Sequence, residues 1–236
     1  MDWWEPVRAY CERTGTGFWD EPLNALSNGA FLIAAALLLA QERRAMAPDP
    51  VARALAGLVG VIGIGSFLFH TLAVRWAELA DVLPIALFIH AYFFVALHRL
   101  LGFRAGVALG LTLAFAGAAA GFEPALSALA GRPLGPPTND SIAYAPAFLA
   151  LLGIGAVLRA GTPAQGRAGT ALFGIAGLFL VSLTARTLDP VLCPVLPTGT
   201  HLVWHLLNAG VLYGLVRTAS RFRAAGRGHG APALPA

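Results

Sequence analysis

Five residues in a largely apolar chain have the types and spacing of a hydrolytic metal site. Gly63-Ile64-Gly65-Ser66-Phe67-Leu68-Phe69-His70 sets a hydroxyl and an imidazole four residues apart, on one face of a helix. Asp81 follows eleven residues after His70. Thr200-His201-Leu202-Val203-Trp204-His205 sets two more imidazoles four apart, a spacing at which both reach one ion. Three neutral imidazoles with an open fourth position describe a catalytic zinc centre. Zinc lowers the pKa of water it binds to about 7. Asp81 would accept that proton and return it to a leaving group, and Ser66 would donate to the oxyanion formed when a carbonyl is attacked. The plainer alternative is that each histidine only satisfies a buried hydrogen bond between helices. That explains one histidine well, but not three at a common depth beside a carboxylate.

These residues need helices in a bilayer to hold them. The 236-residue chain is 57% hydrophobic and 12% charged, with a mean hydropathy of +0.70, whereas a soluble domain is about 25% charged. Apolar runs predict an all-α membrane protein, a seven-transmembrane helix bundle with spans near 23–41, 52–72, 79–97, 105–121, 141–158, 169–186 and 200–217. One domain over 1–220 and a disordered cytoplasmic tail over 221–236, rich in Gly, Ala, Pro and Arg, complete the chain. The first 20 residues hold Asp2, Glu5, Arg8, Glu12, Arg13 and Asp20 with no apolar core, so no cleavable signal peptide is expected.

Charge gives the orientation. Every one of the 16 basic residues is arginine, which excludes Schiff-base chemistry on lysine. Arg43, Arg44, Arg53, Arg99, Arg104, Arg159, Arg167, Arg217, Arg221, Arg223 and Arg227 fall after spans one, three, five and seven, while Arg8, Arg13, Arg75, Arg132 and Arg186 fall on the other side. The positive-inside rule then puts the N-terminus outside and the C-terminus in the cytoplasm. The sequence pI of about 9.7 thus reports topology, and no nucleic-acid partner is expected. On this orientation His70, Asp81, His201 and His205 share one layer beneath the outer surface. His90 falls nearer mid-membrane, as an interhelix donor. Cys11 and Cys193 both land outside, where disulfides form, so a Cys11–Cys193 bond is predicted, with two unrelated free thiols as the alternative. Asn24, Ser27, Asn28 and Asn208 read as helix-packing hydrogen bonders.

Gly-x-Gly-Ser-x-x-Phe-His at 63–70, Asp81, and His201-x-x-Trp-His205 resemble the alkaline ceramidase family, part of a seven-span hydrolase superfamily that also holds adiponectin-type receptors. The resemblance runs from Tyr10-Cys11-Glu12 through Leu23-Asn24-Ala25-Leu26-Ser27-Asn28 to the end of span seven. It implies that His70, His201 and His205 bind catalytic zinc, that Asp81 activates water, and that Ser66 stands near the metal. It also implies hydrolysis of the ceramide amide to a sphingoid base and a fatty acid, and supports the Cys11–Cys193 pairing. The family's eukaryotic members carry an N-terminal calcium site built on Asp-Trp-Cys-Glu-x-Asn. Here those positions read Ala9, Tyr10, Cys11, Glu12, Arg13 and Thr14, so two oxygen ligands are missing. Glu12, Asp20 and Glu21 remain as calcium candidates with backbone carbonyls, against a solvated acidic cap. The acidic residue that follows the catalytic aspartate in the family is Val82 here.

The expected function is a zinc-dependent membrane amidase acting on ceramide or a related N-acyl lipid. The alternative is a lipid-sensing receptor or binding protein of the adiponectin-receptor type with a structural zinc. The absence of lysine and abundance of alanine suit a GC-rich bacterium, in which the site would face the periplasm from the inner membrane.

Overall fold

The computed structural model describes residues 2–222. Every principal element is a helix, and the one extended pairing among the described residues is a bridge between Pro6 and Val74. In chain order the α-helices are α1 (Pro22–Ser27), α2 (Gly29–Arg44), α3 (Pro50–Leu72), α4 (Arg75–Val95), α5 (Ala105–Ala130), α6 (Ala145–Arg159), α7 (Pro163–Leu192) and α8 (His201–Arg221). α4 continues into a π-helical turn over Ala96–Leu100. Taken with that turn, with α1 and α2 joined, and with the 3-10 turn Ser141–Tyr144 joined to α6, six segments are long and apolar enough to cross a membrane, the last being α7. α8 is 21 residues long, but His201, His205, Asn208 and Arg217 leave it outside that group.

From α2 onward each helix packs on the next, α1 packs on α3 and α8, and α8 returns onto α2 and α3 to close the bundle. α5 is the most peripheral, with only Ala108 and Thr112 buried. The core runs along the α2–α3–α8 and α6–α7–α8 seams, through Phe31, Val59, Ile62, Leu158, Leu172 and Val216.

Local chemistry sets the helix ends. Asp49 caps α3, accepting from Val51 N at 3.0 Å, with Pro50 in the first turn. Thr162 and Gln165 form a capping box at the start of α7, again with proline next. At this end of the bundle Glu42 accepts from Asp49 N and from Ser220 Oγ, and Arg99 pairs with Asp49, so α2, α3, α4 and α8 are tied together.

Two prolines inside helices free carbonyls that the fold then uses. A proline cannot donate to the carbonyl four residues earlier. Pro190 lies in the last turn of α7, and the Arg186 carbonyl it leaves accepts from Asn139 Nδ2 at 2.9 Å. Pro84 likewise releases the Ala80 carbonyl in α4, which faces Gly65 of α3 so closely that a Cβ there would lie 2.0 Å from the oxygen. Only glycine permits that approach of α3 to α4.

Span boundaries differ most from the sequence expectation in two places. α5 runs to Ala130 rather than 121, and α7 covers 163–192 rather than 169–186. Asp189-Pro190 reads as loop punctuation, but a proline whose orphaned carbonyl finds another donor does not end a helix. Arg221, the first residue of the expected tail, closes α8 and Phe222 follows it. The remainder of that tail, 223–236, with Arg223 and Arg227, lies outside the described residues.

Candidate metal centre

His70 from the end of α3 and His201 and His205 from the start of α8 converge, each at most 1% exposed. One ring nitrogen from each lies within 4.8 Å of the others. Among the described residues this is the one such cluster of His, Cys, Asp or Glu.

The surroundings dictate which nitrogens face inward. His70 Nδ1 lies 2.6 Å from Glu21 Oε2. An ionised carboxylate only accepts, so Nδ1 carries the proton and Nε2 keeps its lone pair. Glu21 is itself held by Arg13 and by Asn24 Nδ2 at 3.1 Å, and Arg13 also donates to the His70 carbonyl at 2.8 Å. Burial alone would raise the Glu21 carboxyl, but the hydrogen bonds from His70, Arg13 and Asn24 hold it below the usual carboxylate value. His205 Nδ1 lies 2.7 Å from Ser27 Oγ, and Ser27 gives its single proton to the Asn24 carbonyl at 2.8 Å. Ser27 must therefore accept from His205, which leaves Nε2 of that ring free as well. Buried His70 Nε2 and His201 Nδ1 have no hydrogen-bond partner. Buried imidazole lone pairs without donors suit a metal ion, and the carboxylate and hydroxyl behind them are the outer partners that orient such ligands.

Asp81, 8% exposed, lies on α4 with its Oδ1 unpartnered, within electrostatic reach of His70 and Arg186 and interacting with Ser66. The Gly65–Ala80 contact brings these two helices together one residue away from both Ser66 and Asp81.

The chain before α1 forms a strap over this end of the bundle. Val7 N donates to the Ala73 carbonyl at 2.8 Å, Arg75 pairs with Glu5 at 2.6 Å, and Cys11 is disulfide-bonded to Cys193, as expected, with Cα atoms 5.4 Å apart. Asp189, wholly buried, accepts from Cys11 N, Thr200 N and His201 N at 3.1, 2.7 and 2.9 Å. It thus anchors the strap and completes the N-terminus of α8 in one residue. Gly199 makes room: its φ is +62° and a Cβ there would lie 2.0 Å from Asp189 Oδ1. Tyr10, carried by the strap, stacks on His201, and burial pushes its hydroxyl above the ordinary tyrosine value.

A cavity of about 300 Å³, lined by Val82, which follows Asp81 in the chain, opens between α4, α5 and α6 and reaches from Glu78 past His90 to Arg186. A smaller apolar cavity of about 60 Å³ continues toward the opposite end, lined by Phe88, Tyr92 and Leu215 among others, and the two share Ile89, Phe115 and Ala147. His90 Nδ1 pairs with the Ala86 carbonyl of its own helix at 2.7 Å, not with a neighbouring helix.

Not all sequence candidates come together. Glu12 accepts from the backbone N–H groups of Leu23 and Asn24, Asp20 from Gly17 N, and Glu21 serves His70. Sequence reasoning missed the roles of Glu21, Ser27, Tyr10, Asp189 and Arg186. The spacing Glu21-x-x-Asn24-x-x-Ser27 was the available signal for the first two, since it stripes one face of a helical turn. No protein-family model matches this chain, and no curated protein matches it.

Proposed function

We propose that this protein is a zinc-dependent amidase of the membrane that hydrolyses the N-acyl bond of ceramide or a related lipid. The observation that carries this reading is the set of three buried imidazoles, two of them fixed with their Nε2 lone pairs inward, next to a buried carboxylate with a free oxygen. The resemblance to alkaline ceramidases in the 63–81 and 201–205 motifs supports it. So do the two cavities along α4, which share apolar walls at Ile89, Phe115 and Ala147 that an acyl chain can lie against.

His70, His201 and His205 would hold the ion. Zinc supplies a Lewis acid that polarises a carbonyl and brings the ionisation of water near neutral pH. Asp81 takes a proton at its free Oδ1 and returns it to the departing amine nitrogen. Ser66 donates its hydroxyl proton to the oxygen that gains charge as the carbonyl is attacked. The aromatic and aliphatic walls keep bulk water from the amide.

α8 makes the seventh crossing on this reading, its polar face turned to the bundle interior. Arginine placement argues for an outside N-terminus and, in a bacterial inner membrane, a site toward the periplasm.

The test is hydrolysis of ceramide by the purified full chain, with both products read by mass spectrometry. Activity should disappear with a chelator and return with zinc. Asp81→Asn should keep the metal and lose turnover, whereas His201→Ala should lose both. Hydrolysis retained by Asp81→Asn would remove the assigned base. Saturable lipid binding without product would favour a receptor of the adiponectin type with a structural zinc.

A further inference from the structure

The chemistry proposed above gives no task to Arg186. This arginine lies inside α7, two turns before its end, with its guanidinium 5.6, 5.8 and 5.5 Å from the rings of Tyr10, Tyr144 and Trp204. One N–H donates to Tyr10 Oη at 2.8 Å, while Nε is buried and unpartnered. Among the described residues no carboxylate lies within 4.0 Å of it. A guanidinium has five N–H donors and no neutral form. Held in a membrane helix among aromatic rings, without a paired anion, it is costly. Aromatic faces offset part of that cost but satisfy none of the remaining donors.

The 300 Å³ cavity opens onto this group. Its other charged lining residues are Glu78, on α4, and Asp140, before α6. Asp81, also on α4, feels the charge of Arg186. The cavity lining therefore offers one cation with open donors together with two carboxylates that accept, Glu78 and Asp140.

We propose that Arg186 selects an N-acyl lipid whose head bears an acidic group, carboxylate or phosphate, close to the amide. The inference rests on the amidase reading for the identity of the ligand as an N-acyl lipid. The acid lies against the open guanidinium donors, and hydroxyl or ammonium groups of the same head face Glu78 and Asp140. The acyl chain passes Ile89 and Phe115 into the apolar cavity. Neutral ceramide lacks the acidic group and is the weaker ligand.

Three probes share one chain and one amide: N-palmitoylserinol is neutral, N-palmitoylserine adds a carboxylate, and N-palmitoylserinol phosphate adds a phosphate. Binding of each to the full chain in phosphatidylcholine nanodiscs is measured with a chelator present, so that turnover does not intervene. The wild type should bind at least one acidic probe tenfold or more tighter than the serinol, and the tighter of the two identifies the acid. Arg186→Lys should keep that preference within about threefold, Arg186→Gln should abolish it, and Glu78→Gln should strengthen it. Equal binding of all three probes by the wild type overturns the proposal, whether or not the variants fold. So does an Arg186→Gln protein that keeps the preference. Hydrolysis with zinc restored is scored separately. A binding preference without hydrolysis sinks the amidase and leaves the head-group assignment standing; hydrolysis without preference does the reverse.

Discussion

The ring of Tyr10 stacks on the imidazole of His201, with centroids 3.5 Å apart and planes inclined by 19°. A residue of the N-terminal strap thus forms one wall of a cluster whose other members come from α3 and α8. The same tyrosine accepts from Arg186, so it links the candidate metal ligands to the candidate head-group residue.

Removing that ring should loosen His201 without unfolding the protein. An aromatic pair contributes about 0.5–1.5 kcal/mol beyond its burial, so Tyr10→Leu should weaken zinc binding roughly 2- to 12-fold in a competition with a chromophoric chelator. Tyr10→Phe keeps the stack and should stay near wild type. Equal losses in both variants would show that the hydroxyl, not the ring, matters.

The outer partners of the histidines should be worth more. Losing such a partner typically costs 10- to 100-fold in metal affinity. Glu21→Gln and Ser27→Ala should each fall in that range, with the helices intact by circular dichroism. Glu21→Gln still accepts through one oxygen, but gives up the ion pair with Arg13. Metal affinity unchanged in both variants would mean that neither residue sets its ring.

Gly65→Ala separates the metal from the base. The added methyl would meet the Ala80 carbonyl at 2.0 Å, so α4 must move away from α3. Overpacking of this kind costs about 1–3 kcal/mol. The three histidines lie on α3 and α8, and should still bind zinc. Asp81 travels with α4, so hydrolysis should fall by at least tenfold. A variant with full activity would show that the approach of the two helices does not position Asp81.

The opposite end of the bundle predicts a pH dependence. Burial would raise the Asp49 carboxyl, but the ion pair with Arg99 and the hydrogen bond from Val51 N hold it below its usual value. A group depressed in the folded state stabilises fully above its unfolded pKa, near 3.9. That contribution is lost as pH falls through the lower, folded value. Thermal unfolding in detergent should lose stability below about pH 4, and less steeply in Asp49→Asn. Parallel curves for the two proteins would remove Asp49 from the account.

Much of this was legible in the chain. His70, His201 and His205 stand out because a bilayer protein with 12% charged residues has few polar groups inside its helices. Asp81 and Ser66 follow from the same contrast, and Cys11 with Cys193 from sharing one side of the bundle. Arg186 was not legible as a site residue, because Asp189-Pro190 resembles the end of a span and puts the arginine at the outer boundary of span 169–186, as a topology marker. The Asn139 side chain takes over the carbonyl that Pro190 abandons, and α7 runs on past Arg186 to Leu192. Glu21 read as a calcium candidate because, Asn24 apart, its partners Arg13 and His70 lie 8 and 49 residues away, and the pairing with His70 is set by the fold rather than by a local pattern.

The placement of Asp189 also bears on how the protein is made. Two of the three imidazoles sit on the final helix, and the strap that stacks on one of them docks through Asp189 and Cys193, far along the chain. A polypeptide stopped before residue 200 has a single histidine of the three and nothing to seat Tyr10 against. On the metal-site reading, the three ligands are assembled only once α8 has been made, so a product that stops before residue 200 cannot build the centre.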